Sequence, residues 1–266
     1  MELTSTIVIR GGGDIASGII HRLHRCGYRL LILETGKPTS IRRAVSFSEA
    51  IYDGETTVEG TTAVHIEHLD DCRAAWKKNL VPVLIDPWGE CLHHFKPSVL
   101  IDAILAKRNY GTHRAMSQLT IGVGPGFTAG SDVHTVIETA RGHNLGKIIL
   151  NGSASANSGI PGSIDGYSSE RVIYADRPGV LSSQKKIGSR VKRGDPVATI
   201  DSSPVTVSID GLIRGMIRDQ FRVETGLKII DIDPRATQPD NCFTISDKAR
   251  CISGSVLEVL VHFMKR

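Results

Sequence analysis

Long apolar runs are missing from this chain. No stretch approaches the roughly 20 residues that a membrane-spanning helix needs, so no membrane span is expected. The opening MELTSTIVIR has neither a basic n-region nor a long apolar core, so no secretory leader is read there. Basic blocks are missing as well. Lys and Arg number 32 against 28 Asp and Glu, a formal charge of +4 with no long Lys/Arg run, which speaks against a nucleic-acid partner. Cysteine is sparse and unpatterned. The five thiols (Cys26, Cys72, Cys91, Cys242, Cys251) form no CxxC, which excludes zinc-ribbon and thioredoxin-like readings. Free thiols in a reducing cytoplasm are the simplest expectation.

What the chain has is room and glycine. Its 266 residues, 40% hydrophobic and 23% charged, suffice for one large domain or two smaller ones with a real core. The 27 glycines cluster, so they mark particular loops. The first cluster is VIRGGGDIASG, residues 8–18. Before it, residues 6–10 (TIVIR) are rich in β-branched side chains and predict a buried strand. After it, Ile15, Ile19, Ile20 and Leu23 recur at helical spacing, with Gly27 placed to end the helix. A second apolar run, Leu30 to Leu33, ends in Glu34. The glycines therefore open a helix inside a βαβ-like unit. Gly11, Gly13 and Ala16 satisfy G-x-G-x-x-A, and Glu34 follows Gly13 by 21 residues. That is the spacing of a dinucleotide fingerprint. Glycine lets backbone approach a pyrophosphate, helix-start N–H groups attract the anion, and the acid would hold ribose hydroxyls. Gly11, Gly12, Gly13, Asp14, Ile15, Ala16 and Glu34 are the first candidate cofactor-binding residues, joined by the basic Arg42 and Arg43 downstream. Two alternatives stay open. The turn is purely structural, or Asp14 caps the helix and competes with a phosphate.

Further apolar runs at 81–86, 98–105, 118–124 and 147–152 predict strands, and 69–78 and 132–141 predict helices. This alternation predicts a mostly parallel sheet with covered faces. The second glycine cluster, Gly122, Gly124, Gly126 and Gly130, follows one of these strands. It adds Gly124, Gly126, Phe127, Asp132 and His134 to the candidate binding residues, on the expectation that both glycine turns border one cleft. His134 and Glu138, four apart on the expected helix, would share a face. Two such groups do not make a closed metal site. Residues 151–166 (NGSASANSGIPGSIDG) read as a long polar loop and a domain boundary.

From Arg177 the chain repeats itself with a 32-residue offset. Gly179 matches Gly211, Val191 matches Val223, Gly194 matches Gly226 and Asp201 matches Asp233. Two copies of short strands joined by a V-x-x-G turn predict a small all-β unit with quasi-twofold symmetry. The pattern resembles the lipoyl/biotinyl-type barrel-sandwich hybrid. The connection between the copies, Asp201 to Gly211, holds no lysine to modify, which predicts a docking or lid module rather than a carrier. Residues 255–263 have apolar side chains at helical spacing and predict a terminal helix.

Several strings together carry a wider resemblance: GGGDIASG, IRRAVSFSEAIYDG (41–54), VLIDAILAKRN (99–109), GPGFTAGSDVHTVIETARGH (124–143) and KIIDIDPR (228–235). With them nearly the whole chain resembles the selenium-dependent molybdenum hydroxylase system protein (YqeB-like) family, distantly similar to XdhC-type accessory factors. The resemblance implies a cytoplasmic accessory protein that assists maturation or insertion of a molybdenum enzyme's cofactor. Its implied partners are the molybdenum hydroxylase apoenzyme or other maturation proteins. It carries over no catalytic residue. The pyrophosphate ligand would be a molybdopterin cytosine dinucleotide, although the glycine turn suits NAD(P) equally. The architecture expected is a Rossmann-like α/β domain over 1–165, a barrel-sandwich-hybrid β domain over 170–236, and a C-terminal segment with a helix over 237–266. An NAD(P)-dependent oxidoreductase, a scaffold with an empty Rossmann-like domain, and self-association into a homo-oligomer all stay open.

Overall fold

The computed structural model describes residues 6–94 and 96–265. The first five residues of the stretch read above for a leader lie outside them. The chain forms two compact units that interleave in sequence. One comprises Met1–Pro38, Ser46–Ser158 and Ile245–Arg266, the other Thr39–Val45 and Gly159–Thr244. The expected succession of 1–165, 170–236 and 237–266 is therefore replaced by two crossings. A short segment after the second strand joins the β unit, and the terminal helix returns to the α/β unit.

The α/β unit is built on β1 (Ile7–Arg10), β2 (Leu30–Glu34), β3 (Glu55–Val58), β4 (Thr61–Ile66), β5 (Val81–Ile85), β6 (Val99–Asp102), β7 (Leu119–Val123), β8 (Thr128–Ala129), β9 (Thr135–Ile137), β10 (Ile148–Ile149) and β11 (Gly152–Ser153). Nine of these make one sheet in the order β10-β9-β7-β6-β1-β2-β5-β4-β3, while β11 and β8 pair separately. Every contact from β4 to β9 across the middle is parallel, and the two edge pairs, β3 with β4 and β10 with β9, are antiparallel. The central strands are buried on both faces, so they read as continuous Ile/Val/Leu runs. The helices are α1 (Asp14–Arg25), α2 (Ala50–Asp53), α3 (Cys72–Lys77) and α4 (Asp247–Met264). The terminal helix is longer than the 255–263 expected. Glu59 and Gly60, both at positive φ, close the two-residue β3–β4 hairpin.

The expected fold class, a Rossmann-like domain followed by a small barrel-sandwich hybrid, is corrected. Only the β1–β2 connection carries a full-length helix. α2 and α3 are four and six residues long, and no α-helix joins β6 to β7 or β7 to β9. The helix expected at 132–141 is strand β9 and a loop, because Val133, Thr135, Val136 and Ile137 are a β-branched run that enters the sheet fully buried. The fold is a mixed α/β arrangement with a large, mostly parallel sheet and a C-terminal helix.

The β unit contains β12 (Val172–Tyr174), β13 (Gly179–Ser183), β14 (Arg190–Val191), β15 (Pro196–Ile200), β16 (Ser203–Thr206), β17 (Gly211–Met216), β18 (Arg222–Val223) and β19 (Lys228–Asp233). They form two four-stranded sheets, β12-β19-β17-β14 and β16-β15-β13-β18. The internal repeat is visible in the ladders. β13 pairs with β15 and β18, as β17 pairs with β19 and β14, and Gly179↔Val223 mirrors Gly211↔Val191. Each copy's strand is thus completed by the other copy. Gly179 and Gly211 are required in the same way, since a Cβ on either would meet Cγ2 of the equivalent Ile200 or Ile232, at 2.6 and 2.8 Å. Leu181, Val197, Ile200, Ile213, Ile229 and Ile232 fill the core.

Candidate anion site at the carboxyl edge of the sheet

β1, β6 and β7 end level, with Arg10 beside Asp102 and Asp102 beside Gly122. Both glycine turns therefore leave the same edge of the sheet, two strands apart or roughly 10 Å. The chain also changes direction here: β2 follows β1 on one side, and β6 lies on the other. Ligands of open α/β sheets bind at such a reversal.

The floor of this edge is a buried polar network. Arg10, 1% exposed, donates to the Thr112 hydroxyl at 2.5 Å, to Tyr110 O at 3.2 Å and to Pro87 O at 2.9 Å. It faces Asp102 at 3.6 Å, and Thr112 in turn donates to Asp102 at 2.6 Å. Burial raises the Asp102 pKa, against the opposing pull of Thr112 and Arg10. One guanidinium thus ties the loops after β5 and β6 to the end of β1.

The expected pyrophosphate turn divides into two parts. Gly11 and Gly12 answer to the protein itself. Gly11 sits at φ +93°, and a Cβ there would lie 3.0 Å from the Ala103 and Ile104 backbone. The Gly12 N–H donates to Glu34 Oε2 at 2.7 Å, its carbonyl accepts from Ser48 N–H at 2.9 Å, and a Cβ would meet Ser48 N at 2.8 Å. Glu34 also accepts from Thr35 N–H at 2.8 Å. The acid expected on a ribose is therefore turned back onto the glycine turn. Burial raises its pKa, with the Thr35 and Gly12 N–H groups opposing. Ile15 and Ala16 are core residues. Gly13 differs: it is the N-cap of α1 in extended backbone and supplies no side-chain acceptor to the first-turn N–H groups. Asp14 is the acid in that turn.

Arg42 and Arg43 belong to the β unit and bond within it. Arg42 is buried and donates to Asn241 O and Thr244 O, both at 2.9 Å, and Arg43 Nε donates to Met216 O at 2.8 Å. The segment that carries them is grouped with the β unit, so they are not part of the α/β unit that holds the glycine turn.

The second turn is packed by its own chain. Gly124, at φ +87°, donates to Ile137 O at 2.9 Å, and a Cβ would meet Thr139 Oγ1 at 2.8 Å. At Gly126, φ +109°, a Cβ would lie 2.7 Å from Arg108 Cα. Phe127 is buried over Gly122, where a Cβ would press on the ring at 2.5 Å. Asp132 accepts from Thr128 N–H at 2.9 Å and donates its own N–H to Thr128 O at 2.9 Å, closing a turn rather than capping a helix. His134 Nδ1 accepts from Thr120 N–H at 3.0 Å. Burial, then the Arg114 charge, lowers its pKa. With no helix there, His134 and Glu138 do not share a helical face. Glu138 instead accepts from the N–H groups of Thr139 (2.6 Å), Ala140 (2.7 Å) and Ser155 (2.7 Å). Burial would raise its pKa, but these donors outweigh it and hold it low.

Sequence reading missed the contribution of α4. Along α1 and α4 the contacts run in the same order. A Cβ on Gly18 would meet Ala249, Arg22 donates to Arg250 O, and Tyr28 donates to Met264 Sδ. The helices are therefore parallel, and both present their amino ends to the carboxyl edge. Ser246 caps α4 by accepting from Ala249 N–H at 3.2 Å. Lys248, in the first turn of α4, is within electrostatic reach of Asp14, Glu138 and Asp247. Burial first, then the Arg141 charge, lowers its pKa, and the three carboxylates oppose this. Arg141 pairs with Asp247 at 3.0 Å. The result is a helix start with a glycine N-cap near a desolvated ammonium and a second cation, among the carboxylates of Asp14, Glu138 and Asp247; the helix start and the cations favour an anion.

No family model matches the chain. It is 46% identical over 259 residues, 97% of its length, to the uncharacterized protein YqeB of Escherichia coli (strain K12). The chain spans about half, 48%, of that relative. Among solved structures it is similar to the product-bound ectoine utilization protein EutE (DoeB) from Ruegeria pomeroyi. There the identity is 11%, with 86% of this chain and 85% of that one covered and a TM-score of 0.26. A succinylglutamate desuccinylase from Silicibacter sp. TM1040 matches at 10% identity over 87% of this chain and 85% of its own, also with a TM-score of 0.26. At these TM-scores neither structure carries a fold or an activity to this chain.

Proposed function

We propose that the α/β unit binds a pyrophosphate-containing ligand at the amino end of α1, and that the chain is an accessory protein in maturation of a selenium-dependent molybdenum hydroxylase. The observation that carries the ligand part is Gly13. It stands at a helix start where Ser, Thr or Asp would stabilise α1, and it has no side chain of its own to accept from the first-turn N–H groups. Lys248 adds a desolvated cation beside them. The maturation part rests on the sequence strings quoted above. In this reading the ligand is a molybdopterin cytosine dinucleotide, the partners are the hydroxylase apoenzyme or its other maturation proteins, and the β unit makes the protein contact. All five cysteines are free, which supports a cytoplasmic location. Among the described residues no helix is long and apolar enough to cross a membrane. The dehydrogenase alternative is less well supported, because Glu34 is engaged by Gly12 and Thr35.

Mass spectrometry of small molecules that copurify with the native protein tests this reading. A pterin dinucleotide supports it. A nicotinamide dinucleotide would replace it with the oxidoreductase reading, and reproducible absence of both would leave the glycine turn with a structural role only.

A further inference from the structure

The two halves of the β unit differ at one buried position. In the first half, Leu181, Ser182 and Ser183 pair in regular register with Ile200, Thr199 and Ala198. In the second, Ile213 pairs with Ile232 and Gly215 with Asp231, so Arg214 is an extra residue bulged out of the ladder. A bulge re-aims a side chain, and bulges are enriched beside functional sites. Next to it, Gly215 lets the Ile41 backbone approach, since a Cβ there would lie 2.7 Å from Ile41 O. The twin half builds the same strand with Ser182, so the fold itself does not need an arginine here.

The Arg214 side chain is 8% exposed. Among the described residues it makes no hydrogen bond, and its Nε is shut off from solvent. Its nearest carboxylates are Asp233 at 3.8 Å and Asp231 at 4.0 Å. Both are already engaged. Asp233 accepts from Arg235 N, Nε and Nη2 at 3.0, 2.9 and 2.7 Å. Asp231 accepts from Arg171, with Lys228 3.7 Å away. Four cations (Arg171, Arg214, Lys228, Arg235) thus surround two carboxylates. These two carboxylates offset part of the Arg214 charge, but a buried guanidinium that makes no hydrogen bond is still costly to maintain. We propose that Arg214 is the anchor of an oxyanion site in the β unit, for a ligand presenting a phosphate or a carboxylate. A guanidinium fork takes either bidentately. This site is independent of the α1 site, since it lies wholly within the other unit.

Calorimetric titration of the full chain with inorganic phosphate and, separately, with acetate tests the proposal and distinguishes the two chemistries. Binding of at least one anion is expected to persist in a Gly13→Asp chain, where the α1 site is blocked, and adding Arg214→Gln to that chain should weaken it at least tenfold. Equal affinity in the folded double variant, or no binding of either anion at millimolar concentration, would overturn it. Should the variant not fold, wild-type crystals soaked in selenate give the same decision. An anomalous peak within hydrogen-bond distance of Arg214 supports the site, and its absence there refutes it.

Discussion

The two glycine turns look alike in sequence and leave the same edge of the same sheet, yet they serve different ends. Gly124 and Gly126 are needed because their own chain presses on them: Thr139 on one, the Arg108 backbone on the other. Gly11 and Gly12 are pressed in the same way. Gly13 is the N-cap of α1 in extended backbone that any residue can adopt, and there its lack of a side chain is a loss to α1. The lesson is that a glycine required by close protein packing says nothing about a ligand. A glycine at a helix start, in backbone that a capping residue could adopt, is the one to ask about.

The sharpest way to break this distinction is stability. Gly126→Val places a branched side chain at φ +109° against the Arg108 backbone. It should cost about 3–5 kcal/mol by urea denaturation, enough to unfold a marginal domain. Gly13→Ala should cost no more than about 1 kcal/mol, because the conformation is allowed and Ala is only a poorer N-cap than Gly. Similar losses at both positions would erase the difference between the turns.

A second prediction sharpens the site. Lys248→Gln should weaken binding of inorganic pyrophosphate about tenfold, or roughly 1.4 kcal/mol, with little change in melting temperature. Because burial lowers the Lys248 pKa below its ordinary 10.5, wild-type binding should begin to fall at a pH lower than an exposed lysine would show. A pH profile that is flat, or identical in Lys248→Gln, would remove Lys248 from the site.

The smallest effect concerns the second turn. His134 holds Thr120 N–H on a neutral Nδ1, and its folded pKa lies below the ordinary 6.5. The unfolded chain therefore takes up a proton first as pH falls. The stability contributed by His134 is complete above pH 6.5 and is lost progressively below it, down to the folded pKa. His134→Gln should reduce the slope of stability against pH over that window. An unchanged slope would mean that the Thr120 contact does not couple to titration.

Legibility followed local chemistry. The strand at 7–10, the helix after it and the run ending in Glu34 were readable because apolar spacing and β-branching act over a few residues. The 32-residue repeat was readable because each copy solves the same packing problem against the other. The helix expected at 132–141 was misread because Val133, Val136 and Ile137 satisfy helical spacing and β-propensity at once, and sheet burial decided between them. Arg42 and Arg43 join the candidate list because they follow Glu34 in sequence, and sequence proximity carries no information about which unit a segment folds into. Lys248 was invisible because the parallel packing of α4 on α1 joins residues more than 200 positions apart. The glycine motif was legible as a pattern but not in its division of roles, which depends on what Ser48, Ile104 and Glu34 press against it.

If the amino end of α1 keeps a glycine N-cap for an anion, a capping side chain must compete with that anion. Gly13→Asp tests this directly, since the new carboxylate can accept the first-turn N–H groups itself. Calorimetry with inorganic pyrophosphate should show binding to the wild-type chain and at least a tenfold loss in Gly13→Asp. The melting temperature of the variant should be unchanged or raised, as expected for a better N-cap. Pyrophosphate affinity that survives in a folded Gly13→Asp chain would contradict the claim.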